Sequence, residues 1–250
     1  MNAYICVYRQ INPPPISIRD TANAATKNSH LQQFLNEYQD SFYDWGDDPS
    51  FFSAKYMLSD VNRATWGVCR RDVRADLEKG DVVVFFCGSE TKVGGLWCYY
   101  FVGFGTVREL VKPRGLLWTD PRYKAYRTFF NLLTDSQDKW CEIFHPFHKD
   151  WDARAKAPYV VFDPSNSVFN IDSPHLVATW SGEGNRETWN RDAKTREIER
   201  LLFVERGIGR RLRTSRTGYA HVKLNLLRDG NKFRPGRPLV ALTAALRQLV

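Results

Sequence analysis

Runs of apolar residues separated by glycine, proline and charged residues predict a chain that mixes strands with helices. Five runs are rich in β-branched and aromatic residues, which is typical of strands: residues 4–9, 82–87, 96–107, 159–162 and 219–227. The first run is followed by Pro13, Pro14 and Pro15, which end it because proline has no N–H for the sheet ladder. Gly103 and Gly105 in the longest run predict a bulge or a close approach of another backbone.

Helical spacing of apolar residues appears in other parts of the chain. It predicts helices over residues 31–43, 70–78, 121–133, 192–204 and 238–250. In the second of these the inward residues are Val73 and Leu77, and in the fourth they are Ile198, Leu201 and Leu202. The expected fold class is therefore α+β. We expect one domain over residues 1–205, with an apparent insertion at 17–60, and a basic extension over 206–250 that ends in a helix.

The positive charge is concentrated at the C-terminal end. The chain carries a formal net charge of +8, yet residues 206–250 hold eleven Lys or Arg and one acidic residue, which gives +10 there and −2 over residues 1–205. Such a segment suits a polyanion, because each phosphate contact releases counterions. The alternative is a solvated surface whose charge only aids solubility. We expect backbone contacts to nucleic acid from Arg206, Arg210, Arg211, Arg213 and Arg216.

Other totals indicate the class and compartment of the protein. Hydrophobic residues make up 43% and aromatic residues 14% of the 250 residues, which is ample for a packed core. No apolar run approaches the roughly 18–20 residues that a membrane helix needs, and the first ten residues are typical of a strand and not of a signal peptide. The five scattered cysteines suit buried thiols in a reducing compartment. We therefore expect a cytoplasmic protein with no membrane partner.

The stretch from Thr65 to Val107 carries a family resemblance. It contains the segment 66–71 (WGVCRR), a short helix, Lys79-Gly80-Asp81 before an apolar strand, and the pattern FVGFGTV over residues 101–107. This order resembles the PUA-like superfamily, which includes the EVE, ASCH and YTH domains. The layout is most similar to the bacterial and phage nucleotide modification associated domains, through residues 4–15, 69–81 and 175–182 as well.

The resemblance implies a small pseudo-barrel β-sheet flanked by helices. It also implies that the protein recognises a nucleic-acid base, often a modified one, in a pocket lined by aromatic side chains. The chain departs from the family pattern in two places. The loop after its first strand is longer, and its basic tail has no counterpart that we can match.

A pocket for an extruded base needs flat apolar walls and a few placed polar groups. The residues that meet this description are Tyr8, Asn12, Trp66, Cys69, Arg70, Arg71, Trp97, Tyr99 and Trp180. Each has a structural alternative: Trp66 suits a core position, Asn12 a turn before prolines, and the two arginines an exposed helix start. Trp97 and Tyr99 share one face of a strand, and either that face or the opposite one must be core. Trp180 beside the glycine-containing residues 181–186 suits a lid.

The chemistry of catalysis has no specific signature here. The chain lacks a nucleophile elbow, a P-loop and a paired Cys-x-x-Cys, and the grouping of Cys141, His145 and His148 lacks a second ligand pair for zinc. We expect no metal and no cofactor. The favoured function is recognition of a modified base in DNA or RNA. The alternatives are an enzyme acting on a modified base or nucleotide in the same pocket, and a protein-interaction module.

Overall fold

Nine strands and four short α-helices form the part of the chain that the structure describes. The structure is a computed structural model, and it describes residues 2–9, 64–67, 70–89, 92–126, 156–170, 173–184, 187–205, 212, 221–224 and 237–250. The strands are β1 Ala3–Arg9, β2 Thr65–Trp66, β3 Val82–Gly88, β4 Trp97–Val111, β5 Tyr159–Phe162, β6 Val168–Phe169, β7 His175–Trp180, β8 Thr188–Trp189 and β9 His221–Leu224. The α-helices are α1 Arg71–Asp76, α2 Leu116–Thr119, α3 Ala193–Glu199 and α4 Arg237–Arg247. The chain divides into two compact units, the first from residues 1–11, 78–107 and 165–250, the second from residues 12–77 and 108–164.

The sheet of the first unit is mixed. Its strands lie in the order β4-β3-β1-β9, and only the β1–β3 pair is parallel. The opposite edge of β4 is shared by β7 and β6, and β8 pairs with β7. Helices accompany this sheet in the same unit. The α+β class that the apolar patterns predict is therefore confirmed.

Alternation along the strands places one set of side chains in the main core. Ala3, Ile5 and Val7 of β1 stand beside Val82, Val84 and Phe86 of β3, and all six belong to this core. Side chains on the opposite face of these strands, such as Cys6 and Phe85, are also fully buried. A sheet buried on both faces explains why β3 is a continuous apolar run and not an alternating one.

Gly103 sits where β6 crosses closest to β4. Its φ is +137°, and a Cβ added there would lie 2.9 Å from the Phe169 Cα and would collide with the Val168 carbonyl. The β3–β4 register also shifts between Phe85 and Phe86, beside this glycine. The predicted bulge and close approach are thus both present, and only glycine fits the position.

A helix and a helical turn cover the core of the first unit. The helix α3 begins at Asp192, whose carboxylate accepts a hydrogen bond from the Thr195 N–H at 2.8 Å and caps the helix. The chain continues as a π-helical turn over Arg200–Val204, in which Leu202 and Phe203 are fully buried. The helical prediction over 192–204, with its inward Ile198, Leu201 and Leu202, is confirmed.

The C-terminal segment contributes to the first unit. The strand β9 pairs antiparallel with β1, with Ala3 opposite Leu224. Leu242 and Leu246 of α4 belong to the same core as Ile5 and Phe86. The described residues of the expected extension over 206–250 therefore supply a strand and three buried core side chains, Leu212, Leu242 and Leu246, while the apparent insertion at 17–60 lies outside the described residues.

The second unit has a smaller core. The strands β2 and β5 pair antiparallel, and the Tyr159 hydroxyl donates to the Thr65 hydroxyl at 2.9 Å. Two fully buried arginines, Arg74 and Arg114, both donate to the Ala157 carbonyl, at 3.4 Å and 3.1 Å. The apolar side chains of this core come from α2, β5 and the adjoining segments: Val111, Leu117, Tyr123, Tyr126, Tyr159 and Val161.

Two segments differ from the sequence-based expectation. The helix predicted over 121–133 is a 3₁₀ helix over Pro121–Tyr126, and the remainder of that range lies outside the described residues. The segment 164–174, expected to be irregular, contains a 3₁₀ turn over Pro164–Asn166 and the two-residue strand β6. The three-residue turn and the two-residue strand β6 are too short for periodicity to reveal.

Candidate functional site

Two of the predicted pocket residues, Trp97 and Trp180, lie directly opposite each other in the first unit. They are paired across the β4–β7 ladder, where opposed side chains have Cβ atoms about 4.5–5.5 Å apart. Both residues are partly exposed, and Trp180 also packs against the main core. The pair therefore offers apolar ring surface to an incoming flat group. We call it the tryptophan pair.

A glycine-containing loop over residues 181–184 is fixed to this pair. The Trp180 Nε1–H donates to the carbonyls of Glu183 at 3.1 Å and Gly184 at 3.3 Å. Gly182 and Gly184 have φ values of +103° and +71°, a conformation that glycine adopts without a steric penalty. Trp180, expected as a lid beside this loop, is thus hydrogen-bonded to the loop backbone.

A lysine reaches the same loop from the β3–β4 hairpin. The Lys92 ammonium donates to the Ser181 carbonyl at 3.1 Å, and Lys92 is exposed. A positive charge therefore lies next to the tryptophan pair. From the sequence, Lys92 was interpreted as part of a polar hairpin loop over residues 90–92 and not as a site residue, because nothing local links it to residue 181.

Tyr8 belongs to a second aromatic row, on the face of the sheet opposite the main core. In the ladder Tyr8 stands beside Cys87, and Cys87 stands beside Tyr100. Both tyrosines are partly exposed, whereas the thiol between them is 5% exposed. Burial raises the pKa of Cys87 to about 12, so it is a neutral thiol near pH 7. In this row, two partly exposed tyrosines flank one small buried side chain.

Tyr99 lies on the opposite face from this row. It is 6% exposed and belongs to the main core together with Phe101. The alternation that the sequence predicts for this strand is present. The sequence did not favour Tyr100, since strand parity alone does not say which face is core; pairing with Tyr8 through Cys87 is the signal that identifies it.

Three predicted pocket residues lie in the second unit. Trp66 is fully buried on β2, and a stacking role for it would first require its ring to be uncovered. Arg70 has a left-handed backbone, with φ 52° and ψ 49°, and its guanidinium donates to Asp72 at 3.3 Å. Arg71 is exposed on α1. A left-handed arginine is unusual, since residues with a Cβ pay a steric penalty there.

The remaining predicted site residues have no described position. Asn12 and Cys69 of the pocket lie outside the described residues, as do Arg206, Arg210, Arg211, Arg213 and Arg216 of the backbone contacts. Cys141, His145 and His148 are outside them as well. Within the described ranges, no group of three or more His, Cys, Asp or Glu side chains is arranged to hold a metal ion.

A hydrogen-bonded acid–base cluster occurs at the start of α3. The Thr195 hydroxyl donates to Asp192 at 2.6 Å, and His175 Nε2 lies 2.9 Å from the same hydroxyl oxygen. Burial opposes ionisation of Asp192, but the Thr195 hydrogen bonds and His175 outweigh it and lower the pKa of Asp192. Thr195 is fully buried, so its hydroxyl is not exposed to a substrate. The cluster caps α3 and ties it to β7.

Comparison with known proteins adds no relative. No protein family, curated protein or solved structure matches the chain. Among the described helices, none has the length and apolar character that crossing a membrane requires.

Proposed function

We propose that the protein binds nucleic acid and holds one base, often a modified one, against the tryptophan pair, while the basic C-terminal segment contacts the phosphate backbone. The observation that carries this proposal is the separation of charge. Residues 206–250 carry +10 and the rest of the chain −2. A basic segment of this density attracts a polyanion by counterion release, whatever its sequence.

The structure of the first unit supports the same proposal. The strand β9 and the helix α4, which come from the basic segment, belong to the unit that contains Trp97 and Trp180. Base–aromatic stacking is worth about 1–3 kcal/mol per base and tolerates different bases, because every base has a flat face. Phosphate contacts would supply affinity, and the ring surface would supply the preference for one base.

The PUA-like assignment is part of this proposal. Its support is the order of the glycine-aspartate turn at Gly80, the buried strand β3, and the long strand β4 with Gly103 at a close backbone approach. In this view the mixed sheet is a pseudo-barrel, and the base enters from the end that carries the tryptophan pair.

The test is a fluorescence-anisotropy panel of DNA and RNA oligonucleotides, unmodified and modified, over a range of salt concentrations. Wild-type affinity should fall steeply with salt. The fourfold change Arg210→Gln, Arg211→Gln, Arg213→Gln and Arg216→Gln should weaken binding to all sequences and reduce the salt slope by about 3, because each phosphate contact contributes about 0.7–0.9.

The control for charge removes the same four charges elsewhere. Lys79, Lys112, Lys124 and Arg196 are exposed, and changing all four to glutamine should leave the salt slope nearly unchanged. Trp97→Leu should instead reduce the preference among bases and leave the slope intact. An equal loss of slope in the two fourfold variants would mean that only net charge matters, and it would overturn the assignment of the backbone contacts.

A further inference from the structure

The connection between β3 and β4 contains a hydrogen-bonded turn of four residues, Val93-Gly94-Gly95-Leu96, which we call the apolar tip. The Val93 N–H donates to the Leu96 carbonyl at 2.8 Å, and the Leu96 N–H donates back at 3.1 Å. Gly94 and Gly95 have φ values of +57° and +83°. Two residues with positive φ in a two-residue turn are the geometry that suits the twist of a β-hairpin.

The side chains of this tip are apolar and exposed. Val93 is 57% exposed and Leu96 is 38% exposed. Five large apolar side chains are exposed in the described part of the chain, and two of them lie on this one turn. Hairpin turns are normally polar, so two exposed apolar side chains on one turn make it a candidate contact surface.

The neighbours of the tip indicate what that molecule is. Leu96 is followed by Trp97, which stands opposite Trp180. On the other side Val93 is preceded by Lys92, whose ammonium reaches the Ser181 carbonyl. The tip therefore projects next to a stacking surface and a positive charge, in the unit that also contains the strand and helix of the +10 segment. An exposed apolar turn, a ring surface and a neighbouring lysine together suit duplex DNA.

We propose that the apolar tip is a wedge that enters the base stack of duplex DNA beside the base held by the tryptophan pair. This inference rests on the proposed function. A base leaves the duplex only at the expense of its stacking, and apolar side chains inserted between base steps replace part of that contact. Val93 and Leu96 have the size and exposure for this role, and the two-glycine turn keeps the protruding end narrow.

The experiment uses the full-length protein and a DNA duplex with 2-aminopurine at its centre, whose fluorescence rises when that base is unstacked. Wild-type protein should raise the fluorescence on binding. The double variant Val93→Ser, Leu96→Ser should abolish most of that rise and bind the duplex about tenfold more weakly, because buried aliphatic contact is lost. Its affinity for the matching single strand, which has no stack to open, should change less than about twofold.

The matched control is Leu116→Ser, Val204→Ser, which removes two other exposed apolar side chains, 40% and 53% exposed, outside the basic segment. It should behave as wild type on both substrates. Leu96→Phe provides a change of opposite sign, since a larger wedge should preserve or increase the fluorescence rise.

Normal duplex binding with an unchanged fluorescence rise in the Val93/Leu96 variant would refute the wedge and leave nucleic-acid binding intact. Failure of the wild type to bind any oligonucleotide would overturn both proposals.

Discussion

Asp81 shows how a single buried carboxyl group fixes the turn before β3. It is fully buried and accepts hydrogen bonds from the N–H groups of Asn2 at 2.6 Å and Glu78 at 2.9 Å. Burial is the largest influence on its pKa and raises it above 3.8, although the two hydrogen bonds act in the opposite direction. A raised pKa in the folded state favours the protonated form, so this group contributes stability at low pH that is lost as the pH rises through the folded-state pKa.

The substitution Asp81→Asn tests this sign. An amide has one acceptor oxygen in place of two, so one buried N–H loses its partner and the free energy of unfolding should fall by about 1–3 kcal/mol. The difference in the free energy of unfolding between wild type and variant should be largest near pH 4 and should decrease as the pH rises, because residue 81 titrates only in the wild type. Urea unfolding of both proteins between pH 4 and pH 7 measures it. A gap that widens with pH would show that the hydrogen bonds dominate and that the pKa is lowered.

At the same scale, the candidate site was only partly predictable from the sequence. Aromatic rings suitable for stacking were identifiable, and Trp97 and Trp180 do lie together. Tyr99 and Tyr100 could not be told apart, since alternation defines two faces without saying which is core, and both faces of this sheet are rich in buried apolar residues. Which of Tyr99 and Tyr100 shares a face with Tyr8 depends on the strand pairing through Cys87, which links residues about ninety positions apart.

At the scale of elements, the contact of β6 with β4 depends on one glycine. Gly103→Ala would place a Cβ against the Val168 carbonyl and the Phe169 Cα, in a backbone conformation that disfavours any side chain. Because both partners are backbone atoms, they cannot move aside cheaply. We expect a loss of about 2–4 kcal/mol in the free energy of unfolding, measured by chemical denaturation.

Gly94→Ala is the control for this prediction. Gly94 also has a positive φ, but a Cβ there would meet nothing within 4 Å. It should lose only about 1 kcal/mol, from backbone strain. Equal losses in the two variants would mean that backbone strain alone, and not the close approach of β6, explains the requirement for glycine at 103.

The elements that could be predicted from the sequence are the long ones. The strands β1, β3 and β4 follow from local apolar runs, and the helix α3 follows from helical periodicity, which also predicted its inward residues Ile198, Leu201 and Leu202. The two-residue strands β2, β6 and β8 exist only through their partners, for instance Thr65 opposite Val161 and Thr179 opposite Thr188. No local pattern encodes such elements, because their hydrogen bonds come from distant parts of the chain.

At the scale of the whole molecule, the division into units was beyond local reasoning. Each unit is assembled from separate stretches of chain, and the first contains both ends, residues 1–11 and 165–250. A change in composition at residue 206 predicted a boundary there. Amino-acid composition shows where charge is concentrated but not which strands pair. Because β9 pairs with β1, part of the basic segment belongs to the first unit.

This arrangement predicts that different residues of the C-terminal segment determine nucleic-acid binding and the free energy of unfolding. Leu246 is fully buried in the main core, so Leu246→Ala should lower the free energy of unfolding by about 2–5 kcal/mol. Val240 on the same helix is 69% exposed, and Val240→Ala should change it by less than about 0.5 kcal/mol. The fourfold arginine-to-glutamine variant should retain wild-type stability while it loses salt-dependent binding.

If Leu246→Ala unfolded no more easily than Val240→Ala in urea, α4 would contribute nothing to the core. The basic segment would then be anchored by β9 and Leu212 without α4, and its arginines would be free to reach nucleic acid at a distance from the tryptophan pair.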